Sequence, residues 1–518
     1  MISVFLDNII FSLQKAGGAS VVWQEHIGRL LCDNTITSTY LEYDNACENV
    51  FRKLLTIPQS LLKVRGTKGL FLKRYLDLNN QDYKSPYVFH SSHYRIDHSP
   101  KAINVTTVHD FTYEYFIPGI RKWIHSSQKW HAIKKSDAII CISESTKNDL
   151  LHFLPDINEA KIHVIHNGVN CTYRVLSPED YKLDLPFADK EYILYVGSRL
   201  TSYKNFKSVV KVCSVLKIPL IMIGGEVMTL SERGELDIAL GVGNYRNYRN
   251  VSVNDLNEFY NRAMLLLYPS FYEGFGIPII ESQRAGCPII AYKQSSIPEI
   301  MGNTDYALSD ISIDSIIEAV SFLSTHYQER ENEINRGLEN SQRFSWDMTY
   351  KKTIDLYKKI YEKKLSFPTA RLIRFPFDIR NKKYISIGRD FTTGPGCRLE
   401  TGSEESTGKK LFIGESVQIN DYVHISAWER VVIGNNVLMA SKIYISDVCH
   451  GDFCSEYDIT LPPVKQPLKT KPVYIGENTW IGESVCVLPG TRIGKCCIIG
   501  ANAVVNRDIP DYCMAVGN

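Results

Sequence analysis

One periodicity constrains the fold of this chain more than any other feature. Ile475, Ile481, Val487, Ile493, Ile499 and Val505 recur at every sixth position, and Ile475, Ile481, Ile493 and Ile499 are each followed directly by glycine. A helix repeats at 3.6 residues and a strand at 2, so neither alone produces a strict period of six. A coil with flat six-residue faces does: an aliphatic side chain points inward from each face and a small or permissive residue makes each corner. Aliphatic–glycine pairs begin at Ile387-Gly388 and continue at Ile413-Gly414 and Ile433-Gly434, with the beat regular through Ile413, Ile419 and Ile425. The pattern predicts an all-β left-handed parallel β-helix over 370–518, entered through a stretch of prolines and basic residues between Lys363 and Tyr384.

Nothing in the first 360 or so residues shares that beat. There, short apolar runs alternate with longer amphipathic stretches, which is how βα units read. Strands are expected at the N-terminus (Met1–Asp7) and at Ile103–Val108, Ala138–Ile142, Ile162–Ile165, Tyr192–Val196, Pro219–Ile223, Leu265–Tyr268 and Pro288–Ala291. The stretch Leu183–Asp189 reads as a hinge between two Rossmann-like α/β domains, 1–185 and 186–365, with a cleft between them.

Composition narrows the classes. With 44% hydrophobic and 22% charged residues the chain is globular, and a net charge of +2 argues against a nucleic-acid partner. The 13 cysteines fall in no paired spacing, so reduced thiols in a cytoplasmic protein are expected. Phe51–Leu76 is the exception to a bland surface: seven cations (Arg52, Lys53, Lys63, Arg65, Lys68, Lys73, Arg74) and no acid, interleaved with Leu54, Leu55, Leu61, Leu62, Leu70, Phe71 and Leu72. Such a mixture suits peripheral contact with anionic lipid at the inner face of a plasma membrane, at about 1 kcal/mol per cation. The alternatives are leucines entering a domain core, or another anionic partner.

Four constellations belong to the α/β cleft. Gly17-Gly18 precede an amphipathic stretch, so exposed amides at a helix start could approach a diphosphate; a tight turn is the plain alternative. Arg199 and Lys204 follow a strand end and could neutralise a nucleoside diphosphate, or be a solvated surface pair. In Glu273-Gly274-Phe275-Gly276-Ile277-Pro278, glycines flank Phe275 directly after a strand, Pro278 suits a helix's first turn, and Glu281 lies within that helix. One carboxylate can hold a ribose diol while the other meets a sugar hydroxyl. His109 closes a strand, where it could point into the cleft or be structural.

These motifs, with Thr107-Val108-His109-Asp110, Ile142-Ser143-Glu144-Ser145-Thr146-Lys147, His166-Asn167-Gly168-Val169 and the final Phe344-Ser345-Trp346, resemble glycosyltransferase family 4, the retaining GT-B enzymes also called glycosyl transferases group 1. The resemblance implies that Gly17, Gly18, Arg199, Lys204, Gly274, Phe275, Gly276 and Glu281 bind a nucleotide sugar, with Arg199 and Lys204 on the diphosphate and Glu281 on the ribose. Glu273 would meet the donor sugar near O3, and His109 the sugar near its anomeric centre. No D-x-D tripeptide occurs, in keeping with a metal-independent member.

In the β-helix the beat breaks between Ser446 and Pro472, a loop carrying Asp447-Val448-Cys449-His450-Gly451. An imidazole there could deprotonate a sugar hydroxyl attacking a thioester. Ile419-Asn420-Asp421-Tyr422-Val423-His424-Ile425, Trp480-Ile481-Gly482, Leu488-Pro489-Gly490 and Ile499-Gly500-Ala501-Asn502 complete a resemblance to hexapeptide-repeat sugar O-acetyltransferases of surface-polysaccharide pathways. It implies His450 as catalytic base, Asn420 on the acceptor side and Trp480 beside the acyl-CoA slot. Two departures are a Val448 where relatives carry a second histidine, and a sequence stopping at Asn518 where relatives continue into a basic tail that helps cover CoA. The whole is expected to be a bifunctional homotrimer with no tightly bound cofactor and no metal. Its co-substrates would be a nucleotide sugar and acetyl-CoA, and its acceptor a lipid-linked glycan. The rival readings keep the β-helix as a non-catalytic trimerisation scaffold, or acetylate a free sugar instead.

Overall fold

The computed structural model describes residues 2–310, 312–367, 369–374, 376–402, 408–451 and 460–517. The chain divides into two compact units, Met1–Glu362 and Lys363–Asn518.

The first unit holds two parallel sheets. Seven strands, β1 (Ile2–Asp7), β2 (Ile36–Tyr43), β3 (Leu62–Arg65), β4 (Tyr87–Ser91), β5 (Ala102–Val108), β6 (Ala138–Cys141) and β7 (Ile162–Val164), form one in the order β3-β2-β1-β4-β5-β6-β7. Central strands such as Val4-Phe5-Leu6 and Tyr87-Val88-Phe89 are buried along their length, as expected where helices cover both faces. The second sheet has β8 (Ile193–Val196), β9 (Leu220–Ile223), β10 (Tyr245–Tyr248), β11 (Leu265–Tyr268), β12 (Ile289–Tyr292) and β13 (Ala307–Leu308), ordered β10-β9-β8-β11-β12-β13. Five helices position the candidate sites: α1 (Gly18–Leu30), α2 (Ile120–Lys135), α3 (Glu144–Phe153), α4 (Ile277–Arg284) and α5 (Trp346–Ser366). Helix α5 returns to the first sheet, burying Ile354, Tyr357 and Ile360 in that core.

Leu183–Asp189, read from the sequence as a hinge, is tied to the second half of the unit: Glu258 accepts from the amides of Lys182 and Leu183 at 2.9 Å each, and Leu183 and Phe187 pack on that core. Residues 51–76 split in two. Leu55 and Ile57 are buried, Leu61 and Leu62 pack on the same core, and Arg52 is an interior cation paired to Glu42 at 2.6 Å. Leu54, Phe71, Leu72 and Leu76 stay exposed. Part of the segment thus enters the core and part stays exposed.

The second unit is a three-faced parallel β-helix. One face stacks Thr392–Thr393, Gln418–Ile419, Leu438–Met439, Trp480–Ile481, Ile498–Ile499 and Met514–Ala515. The chain then passes to a face containing His424–Ala427, Tyr444–Ser446 and Cys486–Val487, and next to one containing Val431–Ile433, Val473–Ile475 and Arg492–Ile493. All six residues of the beat, Ile475 to Val505, are buried in one column-filled core.

The corners divide their work differently from the sequence expectation. The left-handed backbone falls two residues after each glycine, on Asn436, Asn478, Ser484, Cys496 and Asn502 (φ 54–60°), not on the glycine. The glycines are there for space: a Cβ on Gly476 would lie 2.4 Å from the amide nitrogen of Lys495 in the next coil. Because rigid backbone cannot yield as a side chain can, Gly476→Ala is expected to destabilise the β-helix by ~1–3 kcal/mol or more. Calorimetry of the full chain checks this, the β-helix transition moving down while that of the first unit stays.

Candidate functional site

In the first unit, β11 and α4 deliver the Tyr272–Gly276 loop against the ends of β5 and β6. Gly274 makes this possible, since a Cβ there would sit 1.9 Å from the carbonyl oxygen of His109. The contact is bonded on both sides. Ser143 and Thr146, at the start of α3, donate to the Gly274 carbonyl at 2.7 and 3.1 Å. The Tyr272 hydroxyl accepts from the Phe111 amide at 2.9 Å and donates to Asp149 at 2.7 Å.

This docking brings Glu273 and Lys204 together at 2.6 Å, both largely buried, with the ammonium against the rings of Tyr203 and Tyr268. Ser295 and Ser296 hold the Glu273 backbone by its amide and carbonyl, at 2.9 Å each. Glu281 projects from α4 and accepts from the Tyr260 hydroxyl at 3.1 Å. Burial pushes its carboxyl up to about 7, against the pull of Tyr173 and Tyr260. Gly276 caps α4 in left-handed geometry (φ 90°), and Gly17 precedes α1, which starts at Gly18.

Two expected ligands have protein partners in this conformation. Arg199 is a buried organiser in this conformation. It meets both oxygens of Glu232, Asn247 and the carbonyls of Gly224 and Glu226, which occupies the fork that a diphosphate would use. Phe275 turns into the core against Phe344 and His166, so its ring faces protein, not the cleft.

His109 lines a cavity with Trp23, His26, His90, Asn167 and Tyr350. Burial lowers its imidazole below the ordinary value; Asp110 opposes this and Lys129 adds to it. Lys129, fully buried and paired to Glu114 at 2.8 Å, donates to the Asp110 carbonyl at 2.9 Å and so fixes the strand end that carries His109. Sequence reading missed the chain His26–Tyr357–His90–Thr107, linked at 3.2, 2.5 and 2.9 Å, in which α5 closes the cavity floor. Burial lowers His26 to about 4 and holds His90 well below its ordinary value, so both are neutral hydrogen-bonding groups. It also missed Glu299, whose carboxylate caps α3 at the amides of Glu144 and Ser145 and meets His166 at 2.5 Å. A carboxylate well downstream of the loop gives no local pattern by which to find it.

In the second unit, Val448–His450 pairs antiparallel with Leu468–Thr470, so the described residues of the break in the beat include a two-stranded arm, on which His450 is exposed. Its root is Asp447, fully buried and accepting from the amides of Trp428, Glu429 and Arg430 at 2.6–2.8 Å. The arm leaves the corner between the second and third faces, whereas Trp480 points outward from the first face, half exposed. The corner from which the arm leaves is thus the one opposite the Trp480 face. Asn420 sits at the end of a first-face strand, its side chain accepting from Gln418 at 3.2 Å.

Comparison with known proteins shows the same division. Residues 179–340 match the family model "Glycosyl transferases group 1", residues 50–173 match "Glycosyltransferase Family 4", and 472–507 match the six-repeat "Bacterial transferase hexapeptide" model. The chain is 27% identical over 301 residues to an O-antigen chain mannosyltransferase B of Escherichia coli, covering 54% of this chain and 75% of that one. It is 39% identical over 167 residues to an Escherichia coli K12 protein named for lipopolysaccharide O-acetyl transfer, covering 32% of this chain and 83% of that one. It is also 32% identical over 148 residues to the galactoside O-acetyltransferase of the same strain, covering 27% and 67%. Among solved structures, sucrose-phosphate synthase of Thermosynechococcus elongatus aligns at TM-score 0.54 and 14% identity, over 70% of this chain and all of that one. Anabaena HepE with UDP and glucose aligns at 0.51 and 13%, over 69% of this chain and all of that one. At such identities these two likenesses bear on fold alone.

The raised Glu281 carboxyl generates a pH test. Its folded form holds the proton more tightly than the unfolded chain, whose carboxyl titrates near ~4.3, so its contribution to stability is fully present below that value and is lost as pH rises toward the folded value. Glu281→Gln should flatten the fall in melting temperature of the first unit between the unfolded value and about pH 7. A pH dependence identical to wild type would assign the titration elsewhere.

Proposed function

We propose a two-reaction function for a chain that belongs, through its first unit, to the group 1 (family 4) glycosyltransferases and, through its second, to the hexapeptide-repeat O-acetyltransferases. The first reaction moves a sugar from a nucleotide donor to a glycan of surface-polysaccharide assembly, carried on a lipid, with retention at the anomeric carbon. The second transfers acetyl from acetyl-CoA to a hydroxyl of that glycan. The observation that carries the reading is that one chain holds both the docked Glu273–Lys204 loop and the His450 arm.

For sugar transfer, Lys204 is the cation that meets the departing diphosphate, supplying electrostatic stabilisation where charge develops. Glu273, its present partner, turns to the donor sugar's hydroxyls once the diphosphate takes the ammonium. Glu281 accepts the ribose hydroxyls, and neutral His109 hydrogen-bonds the sugar. The acceptor hydroxyl enters on the face the diphosphate leaves, which yields retention. For acetyl transfer, His450 takes the proton as the glycan hydroxyl oxygen bonds to the thioester carbonyl carbon. The carbon–sulfur bond then breaks, and the CoA thiolate recovers the proton.

A trimer is part of this reading. Leu438, Trp480, Ile498 and Met514 make an exposed apolar ladder up the first face. Burying it against a second copy would bring Trp480 of one subunit to the His450 corner of its neighbour, completing the acyl-CoA slot.

Peripheral membrane contact is a third component. No helix among the described residues is long and apolar enough to cross a membrane. Phe71, Leu72 and Leu76 are exposed in a segment that carries Lys68 and Lys73, and the first turns of α2 expose Ile120 and Trp123 with Arg121 and Lys122. Gln128 donating to the Arg74 carbonyl at 2.6 Å fixes that neighbourhood. Apolar side chains ringed by cations suit an anionic bilayer surface.

Expression in the native glycan pathway, with mass spectra of the lipid-linked repeat unit, tests the two reactions. His450→Ala should remove one acetyl and keep the sugar count; an unchanged spectrum would leave the β-helix a scaffold. Lys204→Met should cut sugar transfer on the order of 100-fold with acetyl transfer intact. Vesicle sedimentation tests the surface: Phe71→Ser with Trp123→Ser should abolish binding to anionic vesicles, and retained binding would reject this patch.

A further inference from the structure

Outside both transfer sites, three potential ligands converge on one point of the first unit. Nε2 of His98 and Nε2 of His131 lie 3.0 and 2.8 Å from the same oxygen of Asp77, Oδ2, and all three atoms fall within 4.8 Å of one another. We propose that Asp77, His98 and His131 form a binding site for a borderline divalent transition-metal ion such as Zn²⁺, which staples the exposed 66–76 segment to helix α2.

The convergence is built by three separate elements. Asp77 closes the segment that exposes Phe71, Leu72 and Leu76, and its other oxygen, Oδ1, accepts from the Ile96 amide at 3.1 Å. Leu78 forms a parallel bridge with Asp97, its amide donating to Ile96 and its carbonyl accepting from His98, both at 2.8 Å. Asp77 and His98 therefore flank a bonded pair of backbones and cannot slide apart. Asp97 is itself buried and accepts from the Tyr87 hydroxyl at 2.6 Å and the Ser99 amide at 3.0 Å, so the floor is rigid. His131 comes from α2, a helix of 16 residues.

The donor set selects the ion. Two imidazoles and one carboxylate suit Zn²⁺, Co²⁺, Ni²⁺ or Cu²⁺, whereas Mg²⁺ and Ca²⁺ take oxygen ligands. Donors at 2.0–2.2 Å around a tetrahedral ion are about 3.3 Å apart. The two observed spacings, 3.0 and 2.8 Å, are close to that. Each ring would carry its proton on Nδ1 and turn the Nε2 lone pair to the ion, with water completing the coordination. Without an ion, the same atoms make two imidazole N–H donations to one carboxylate oxygen, and the experiment must separate these states.

The position gives the ion a use. Residues 74–77 are tied to their neighbours by the Gln128 bond to Arg74, the Arg95 bond to the Leu76 carbonyl at 2.9 Å, a long Arg74–His93 contact, and this cluster. A coordinate bond at Asp77 would hold the segment that carries this apolar surface in one conformation against α2.

The full chain, stripped with a chelator and dialysed, is titrated with Zn²⁺ by calorimetry, and hydrogen exchange of residues 66–77 is followed with and without the ion. Wild type should bind one equivalent through this site. Asp77→Asn and His131→Ala should each weaken that binding roughly tenfold or more, and Zn²⁺ should slow exchange in the segment for wild type only. His98→Gln, a half-exposed position, serves as the third variant should either of the others fail to fold. Equal stoichiometry and affinity in wild type and variants would place the zinc on other ligands and overturn the proposal. Absence of saturable binding would do the same.

Discussion

The approach of Gly274 to the carbonyl of His109 is the contact on which the first unit's site depends. It is a contact made of an absence: any side chain on that residue would meet backbone at 1.9 Å and push the loop off. With the loop seated, its carbonyl is taken by Ser143 and Thr146 and its tyrosine by Phe111 and Asp149. Glu299 adds a second tie from the same half to the start of α3. Glu273 and Glu281 are placed by this docking as much as by their own helix and loop. The same economy governs the second unit, where glycine spaces the coils and residues such as Asn478 and Ser484 bear the left-handed turns.

Charge in the cleft is sparse, and that shapes the chemistry open to it. His26 and His90 are neutral because burial disfavours their cations, and Lys129 is spent on Glu114. Arg199 is saturated by Glu232 and carbonyls. Lys204 is held by a single carboxylate, Glu273, at 2.6 Å.

How much of the molecule is legible in the sequence depends on whether the signal is local. The β-helix is legible because each inward Ile or Val repeats a local environment, and so are strands such as Ile103–Val108 and Leu265–Tyr268, whose apolar runs are continuous. Strand β2 is not, because Thr37, Ser38 and Thr39 dilute its apolar run, and β3 is not because it lies at a sheet edge inside a cation-rich segment. The Glu273…Glu281 pair is legible as a motif. The saturation of Arg199 is not, since Glu232, Asn247 and the Gly224 carbonyl come from three elements and no spacing announces them. His26, Tyr357 and Glu299 are invisible for the same reason: each acquires meaning from a partner more than a hundred residues away.

The direction in which the His450 arm projects is set by topology. Each coil passes from the Trp480 face to the Tyr444 face and then to the Ile475 face, and the arm leaves between the last two. The corner that carries His450 is therefore the one opposite the face that carries Trp480. That face exposes the apolar ladder of Leu438, Trp480, Ile498 and Met514. Fusing this unit to a sugar-transfer unit ties two reactions on one glycan to one polypeptide. The tether then sets the concentration at which the product of one meets the other, up to the millimolar range for short flexible connections.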